Sequence, residues 1–294
     1  MTSHLLVAGA GAMGSQIAAL GALAGIDTTL YDAAPAALEG ARTQLTQRID
    51  RMVQRGRIGE ADAVAVWGRL VLTDDLDEPA RRADFVIEAV AENLAVKRDL
   101  LARIAALAPA DAVLTSNSSS FVPSRMADAS GRPDRFCNMH FFNPALVMAC
   151  VEVVRGPDTS DATVAATVEL AHRMGKEPVV LDREIPGFVA NRIVNAIRDE
   201  AIFLHEQGIA SVATVDAVCR GALGHPMGPF ELMDLTGLDI GHATKAARFA
   251  ETGDPGDAPA VSLVERVERG DLGRKTGRGW YDYDADGVRI EETR

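Results

Sequence analysis

The stretch His4-Leu5-Leu6-Val7-Ala8-Gly9-Ala10-Gly11-Ala12-Met13-Gly14 decides the reading of this chain. His4 to Ala8 is short and apolar, as in a buried strand, and three glycines spaced G-x-G-x-x-G follow at once. A helical run from Ser15 to about Leu23 ends near Gly25, and Thr28-Thr29-Leu30-Tyr31 is a second strand closed by Asp32. Strand, glycine turn, helix and strand fill about 30 residues, the size of a βαβ unit. The glycine pattern alone is a weak signal; in this register it is a dinucleotide fingerprint. Gly9 permits the tight turn, Gly11 lets a pyrophosphate approach the backbone, and Gly14 lets the helix pack close to the strand. Ala12 and Met13 complete the turn, where the helix N-terminus offers unpaired N–H groups and a partial positive charge to phosphate. Asp32 can accept hydrogen bonds from ribose hydroxyls, and its charge repels a 2′-phosphate. Ala33-Ala34-Pro35 supplies no compensating Arg, so NAD is expected rather than NADP.

Working outward, 294 residues with 47% hydrophobic and 24% charged composition suggest one large or two medium domains. The 30 Lys and Arg stand against 42 Asp and Glu, a net charge of −12. Such an acidic surface repels phosphate backbones, so no nucleic-acid partner is expected. Cys137, Cys150 and Cys219 form no CxxC motif, which suits a reducing cytoplasm and gives no reason to expect a metal. Residues 5–26 carry no formal charge over 22 positions, long enough to cross a bilayer. Five glycines, Ser15 and Gln16 interrupt them and no Lys or Arg precedes them, so neither a membrane span nor a signal peptide is expected.

Between the second and third strands lies an unusually long connection. Residues 36–57 are helical in pattern and hold Arg42, Arg48, Arg51, Arg55 and Arg57; a short helix over 60–67 precedes strand 69–73. This predicts a helical arm, about 36–67, inserted into an otherwise doubly wound sheet. Alternation then resumes, with strands 84–88, 112–115, 136–142, 150–154 and 178–181 and helices 93–108 and 159–174. After Pro186-Gly187 the pattern is helical, with little β character. The expected architecture is α/β: a Rossmann-type doubly wound domain over 1–184, then a smaller all-α domain over 185–294 for substrate binding and dimerisation.

Ser116-Asn117-Ser118-Ser119-Ser120 falls at the carboxyl end of a strand, where open α/β sheets place ligands. His140 ends an apolar strand, and Glu152 stands twelve residues on, beyond Asn143-Pro144. If these strands form a hairpin, imidazole and carboxylate can meet across the ladder. A carboxylate on one ring nitrogen fixes the tautomer and leaves the other free to take a proton, as in a general base.

Seven stretches, in order and almost end to end, now show that the chain resembles the L-3-hydroxyacyl-CoA dehydrogenase family, including the 3-hydroxybutyryl-CoA dehydrogenases. They are residues 9–14; Glu88-Ala89-Val90-Ala91-Glu92-Asn93 with Lys97; Ser116 to Ser120; His140-Phe141-Phe142-Asn143-Pro144 with Val151-Glu152-Val153; Pro186-Gly187-Phe188-Val189-Ala190-Asn191-Arg192; Pro226-Met227-Gly228-Pro229-Phe230-Glu231-Leu232; and Gly273-Arg274-Lys275-Thr276-Gly277 before Gly279-Trp280-Tyr281. The resemblance implies a catalytic base at His140 with Glu152 as its partner. It implies that Ser119 contacts the substrate oxygen and that Asn191 completes the site from the second domain. Glu92, Lys97, Ser119, Asn143 and Lys275 would lie at NAD, and Arg48, Arg51 or Arg55 near the CoA nucleotide. It further implies a cytoplasmic homodimer paired through the C-terminal domain. The family often has Thr where Ser118 stands, Leu where Phe121 stands and a Lys-Leu pair where Ala149-Cys150 stands, so acyl-chain preference is left open. Two other readings compete: a dehydrogenase of free hydroxy acids or sugar acids on the same plan, and a non-enzymatic NAD-binding protein. The latter has no physical need for Ser119, His140, Glu152 and Asn191 together.

Overall fold

The computed structural model describes residues 2–290. They divide into two compact units, the first ending at Phe188 and the second beginning at Val189. In the first unit β1 (His4–Ala8), α1 (Ala12–Leu23) and β2 (Asp27–Tyr31) form the βαβ unit. Next come α2 (Pro35–Gln54), α3 (Glu60–Arg69), β3 (Leu70–Thr73), α4 (Asp77–Arg82), β4 (Phe85–Glu88), α5 (Leu94–Leu107) and β5 (Val113–Ser116). Strands β6 (Phe136–Phe141) and β7 (Cys150–Arg155), helix α6 (Asp161–Arg173) and strand β8 (Glu177–Leu181) complete it.

The strands lie in one sheet, in the order β3-β2-β1-β4-β5-β6-β7-β8. All neighbours run parallel except β6 and β7. The chain winds outward from β1 in both directions, so β1 and β4 flank the switch point at which doubly wound sheets bind ligands. Alternation along β1 feeds two cores. Leu5 and Val7 join Ile17, Leu30, Leu45 and Ile49 on one face, while Leu6 and Ala8 join Val86, Leu101 and Ile104 of α5 on the other. Burying both faces explains why this strand is a continuous apolar run.

The long connection is the expected helical pair. Leu38, Ala41, Leu45 and Ile49 make a buried stripe on α2 at helical spacing. Helix boundaries follow caps the periodicity could not resolve. The Asn93 side chain accepts from Ala95 and Val96 N–H, so α5 opens at Leu94; the Ser160 side chain accepts from Thr163 N–H, so α6 opens at Asp161. Helix α4, six residues with Pro79 inside, is too short to show a period.

The second unit holds α7 (Ala190–Glu206), α8 (Val212–Leu223), α9 (Pro229–Thr236), α10 (Leu238–Thr252) and α11 (Val261–Arg269). Ile202, Val215, Phe230, Met233, Leu263 and Trp280 form its core. It is not purely helical: isolated bridges pair Gly273 with Arg278, Arg278 with Asp282 and Tyr283 with Arg289. A buried carboxylate, Asp234, organises this tail by accepting from Trp280 N–H at 2.8 Å, Tyr281 N–H at 2.9 Å and the Tyr283 hydroxyl at 2.9 Å. Residues 252–259 are mostly exposed and include the end of α10 and a 3-10 turn that buries Asp257. Among the described residues no helix is long and apolar enough to cross a membrane.

Candidate active site

The glycine turn leaves β1 at the switch point. Gly9 has φ of 116°, and a side chain there would strike the Ala89 carbonyl. A side chain at Gly14 would strike the Gly9 carbonyl, so the third glycine is required by close packing of helix on turn. Gly11 differs: nothing lies within 4 Å of where its Cβ would be. Its lack of a side chain therefore serves open space above the backbone rather than internal packing. Gly11 is the N-cap of α1, and no side chain caps that end. The first-turn N–H groups of Ala12, Met13 and Gly14 consequently face outward without helical partners. Asp32 braces the turn through Oδ2, which accepts from Ala10 N–H at 2.8 Å, while Oδ1 accepts from Ala34 N–H at 2.9 Å. A carboxylate has about four acceptor positions, so two remain for ribose hydroxyls. Open backbone, free N–H groups and a braced acid fit NAD.

Across the sheet, β6 and β7 pair antiparallel with His140 directly opposite Glu152. His140 Nδ1 lies 2.8 Å from Glu152 Oε2, and both side chains are buried. With Glu152 ionised, Nδ1 must donate, and a neutral ring then carries its lone pair on Nε2. Two aromatic rings set the imidazole's tilt, each edge-on: Phe142 at 4.7 Å and Phe188 at 5.4 Å between centroids. Phe188 is fully buried and adopts φ of 49°. A left-handed conformation at a bulky residue costs about 1–3 kcal/mol and marks a functional constraint when tertiary packing enforces it. Sequence reasoning missed both rings. The available signal was Pro186-Gly187 immediately before Phe188, which marks a domain boundary and one of the resembling stretches but gives the ring no role of its own.

The serine loop after β5 is tied to β6 beside the imidazole. Asn117 Oδ1 accepts from Phe141 N–H at 2.9 Å, and Asn138 Nδ2 donates to Ser118 O at 3.2 Å and Phe121 O at 2.8 Å. Ser118 donates its hydroxyl to Glu92 Oε1 at 2.5 Å, and Ser120 N–H donates to the same oxygen at 2.9 Å. Burial alone would raise the Glu92 pKa, but the Lys97 ammonium and these donors outweigh it and hold the acid below its ordinary value. Ser119, between the two bonded serines, is half-buried and keeps its hydroxyl free of protein partners among the described residues.

Lys97 does not present its ammonium to the crevice. It is buried and points at Glu88 Oε1, 2.9 Å, and Glu92 Oε2, 3.1 Å. Asn143 is exposed at the head of the loop leaving β6, before a cis peptide to Pro144. That loop is held from behind by Lys176, whose Nζ donates to Ala145 O at 2.6 Å and Met148 O at 2.9 Å. Burial pushes the Lys176 pKa down. Arg48 is half-buried on α2, and Arg51 and Arg55 are exposed on the same flank, beside the apolar stripe. In the second unit Asn191 lies in the first turn of α7, and Lys275 pairs with Asp239 at 2.6 Å. No group of three or more His, Cys, Asp or Glu among the described residues is placed to hold a metal ion.

Comparison with known proteins gives this geometry its kin. Residues 4–185 match the NAD-binding domain of 3-hydroxyacyl-CoA dehydrogenase, and residues 187–283 match its C-terminal domain. The chain belongs to the 3-hydroxyacyl-CoA dehydrogenase family. A probable 3-hydroxybutyryl-CoA dehydrogenase of Bacillus subtilis is 38% identical over 281 residues, covering 96% of this chain and 97% of that protein. The crystal structure of (S)-3-hydroxybutyryl-CoA dehydrogenase from Ralstonia eutropha superposes with a TM-score of 0.90 at 36% identity, over 97% of this chain and 100% of that one. A solved diketoreductase, described as acting on dicarbonyl compounds, reaches 0.87 at 33% identity, over 96% of this chain and 99% of the other. As in other 3-hydroxyacyl-CoA dehydrogenases, the NAD-binding domain comes first and the helical C-terminal domain follows.

Proposed function

We propose that this protein interconverts L-3-hydroxyacyl-CoA and 3-ketoacyl-CoA with NAD, on short substrates of the 3-hydroxybutyryl-CoA kind. One observation carries the chemistry: a buried imidazole anchored through Nδ1 to Glu152 at 2.8 Å, in a unit whose switch point carries a dinucleotide turn. Bound at the Gly9–Gly14 turn and Asp32, NAD would supply the hydride acceptor for the carbinol carbon. His140 Nε2 takes the hydroxyl proton, and the ring becomes an imidazolium. Glu152 stabilises that cation and holds the tautomer. Ser119 supplies a free hydroxyl to the substrate oxygen. In the reverse direction the imidazolium returns its proton to the carbonyl oxygen as reduction proceeds. General-base assistance of this kind contributes ~10²–10⁴ in rate, and orientation of the oxygen adds to it.

The test is His140→Ala, assayed by absorbance of the reduced nicotinamide with L-3-hydroxybutyryl-CoA. Turnover should fall by about 10²–10⁴ while NAD binding is nearly unchanged; near wild-type turnover would defeat the assignment. The diketoreductase neighbour motivates a second reading, turnover of substrates lacking coenzyme A. The cationic flank of half-buried Arg48 with exposed Arg51 and Arg55 favours the thioester, because a CoA nucleotide is polyanionic and a free hydroxy acid is not. Equal kcat/KM for thioester and free acid would favour the second reading. A cytoplasmic homodimer belongs to the same proposal. All three cysteines are free thiols, and Ile193, Phe203 and Ile240 of the second unit are 55%, 52% and 58% exposed.

A further inference from the structure

Glu88 ends β4 with its side chain fully buried, and the sequence reading, which quotes it within a resembling stretch, gives it no role. Its Oε1 accepts from Val90 N–H at 2.7 Å and from Lys97 Nζ at 2.9 Å; its Oε2 accepts from the Ser116 hydroxyl at 2.5 Å. Lys97, 1% exposed, donates to Glu88 Oε1 at 2.9 Å, to Glu88 Oε2 at 3.2 Å and to Val90 O at 3.3 Å, and its ammonium pairs with Glu92 Oε2 at 3.1 Å. No donor is left for a ligand. The Glu92 carboxylate thus receives Lys97 on one oxygen and the serine loop on the other.

The loop's own polar groups are also committed. The Ser116 hydroxyl, donating to Glu88, accepts from Ser118 N–H at 3.1 Å. The Ser118 hydroxyl, donating to Glu92, accepts from Phe121 N–H at 2.9 Å. Glu92 Oε1 takes the Ser118 hydroxyl and the Ser120 N–H, so it grips the residues on either side of Ser119. A loop fastened at 116, 118, 120 and 121 has little freedom left at 119.

We propose that Glu88, Lys97 and Glu92 form a positioning relay for Ser119: the buried Glu88–Lys97 pair holds Glu92 against the serine loop, and Lys97 acts through that carboxylate rather than by touching cofactor or substrate. The relay deepens the proposed function and rests on it for the role of Ser119. Glu88 and Lys97 are positioning residues and take no part in proton or hydride transfer.

The experiment has two independent readouts on Glu92→Gln and Lys97→Met. The first is hydrogen–deuterium exchange of residues 116–121 in the protein without ligands. Loss of one net hydrogen bond should speed exchange at the Ser118 and Ser120 amides about tenfold. The second is kinetics together with NAD binding by titration calorimetry. The relay predicts kcat down about tenfold, matching the looser loop, with the NAD dissociation constant almost unmoved. Unchanged exchange in Glu92→Gln overturns the relay. So does a roughly tenfold weaker NAD complex in Lys97→Met with unchanged exchange, the mark of a direct contact. Should Lys97→Met fail to fold, the charge-neutral pair Glu88→Gln with Lys97→Met takes its place, and it must show the same accelerated exchange. A wild type inert toward the thioester would overturn the proposed function, whereas the exchange result decides the relay by itself.

Discussion

Two buried acid–base pairs sit in the first unit at nearly the same separation. His140 and Glu152 are 2.8 Å apart, Lys97 and Glu88 are 2.9 Å apart, and all four side chains are buried. Their difference lies in what each cation has left over. Lys97 has three donors and four oxygens around it, so the pair is closed. His140 has two ring nitrogens and spends one, against Glu152, which leaves the other for chemistry. Burial and pairing alone therefore do not mark a catalytic group; an uncommitted ring nitrogen able to take or give a proton does.

The largest expected effect tests the open pair. In Glu152→Gln the side chain keeps its shape, but its amide N–H₂ can donate to Nδ1. That would place the ring proton on Nε2 and remove the base. Turnover of the thioester should fall on the order of 10³–10⁴, as when a triad acid is replaced by its amide. Thermal stability should change far less than activity. A variant retaining more than a tenth of wild-type kcat would show that Glu152 neither sets the tautomer nor supports the cation.

The closed pair should behave the other way round. Lys97→Met leaves Glu88 buried without its counter-charge, and breaking such a pair by removing one partner costs about 3–5 kcal/mol. Converting Glu88→Gln in the same chain removes the stranded charge and should restore most of that loss. Chemical denaturation of the single and double variants measures both. A Lys97→Met protein as stable as wild type would mean that water reaches Glu88, against its burial in the structure.

The same contrast explains how far the sequence could be read. The βαβ unit was legible because each glycine there answers a local constraint, and because both faces of β1 are apolar. The His140–Glu152 pairing was legible because antiparallel register follows from two strands and a short break. Phe188 and the Glu88 relay were not, since their roles depend on groups far apart in the chain: Phe188 reaches back 48 positions to His140, and Ser116 reaches back 28 to Glu88. The bridged tail of the second unit was hidden for the same reason. Its organiser, Asp234, lies on a helix whose pattern shows only an ordinary polar position, 46 residues before Trp280. Lys97 is the clearest lesson. The resemblance puts it at the cofactor, while its ammonium is turned inward to two carboxylates.

The smallest effect concerns the boundary between closed pair and solvent. The Glu92 side chain is 38% exposed and carries a lowered pKa, with burial opposing and Lys97, Ser118 and Ser120 favouring the ionised form. An acid whose folded pKa lies below its ordinary value, here 4.5, stabilises the fold fully above that value and loses the contribution as pH falls through the folded pKa. Solvent screening at a partly exposed site limits the contribution to below about 1 kcal/mol. Glu92→Gln should therefore lower Tm slightly at pH 6 to 7. The gap should then close as pH drops below the ordinary carboxylate range, because the wild-type acid is protonated there too. The Tm of the two proteins, measured from pH 7 down to pH 3, checks the sign. A gap that widens on acidification would mean that Glu92 is held against its charge, and that the donors around it bind the neutral acid.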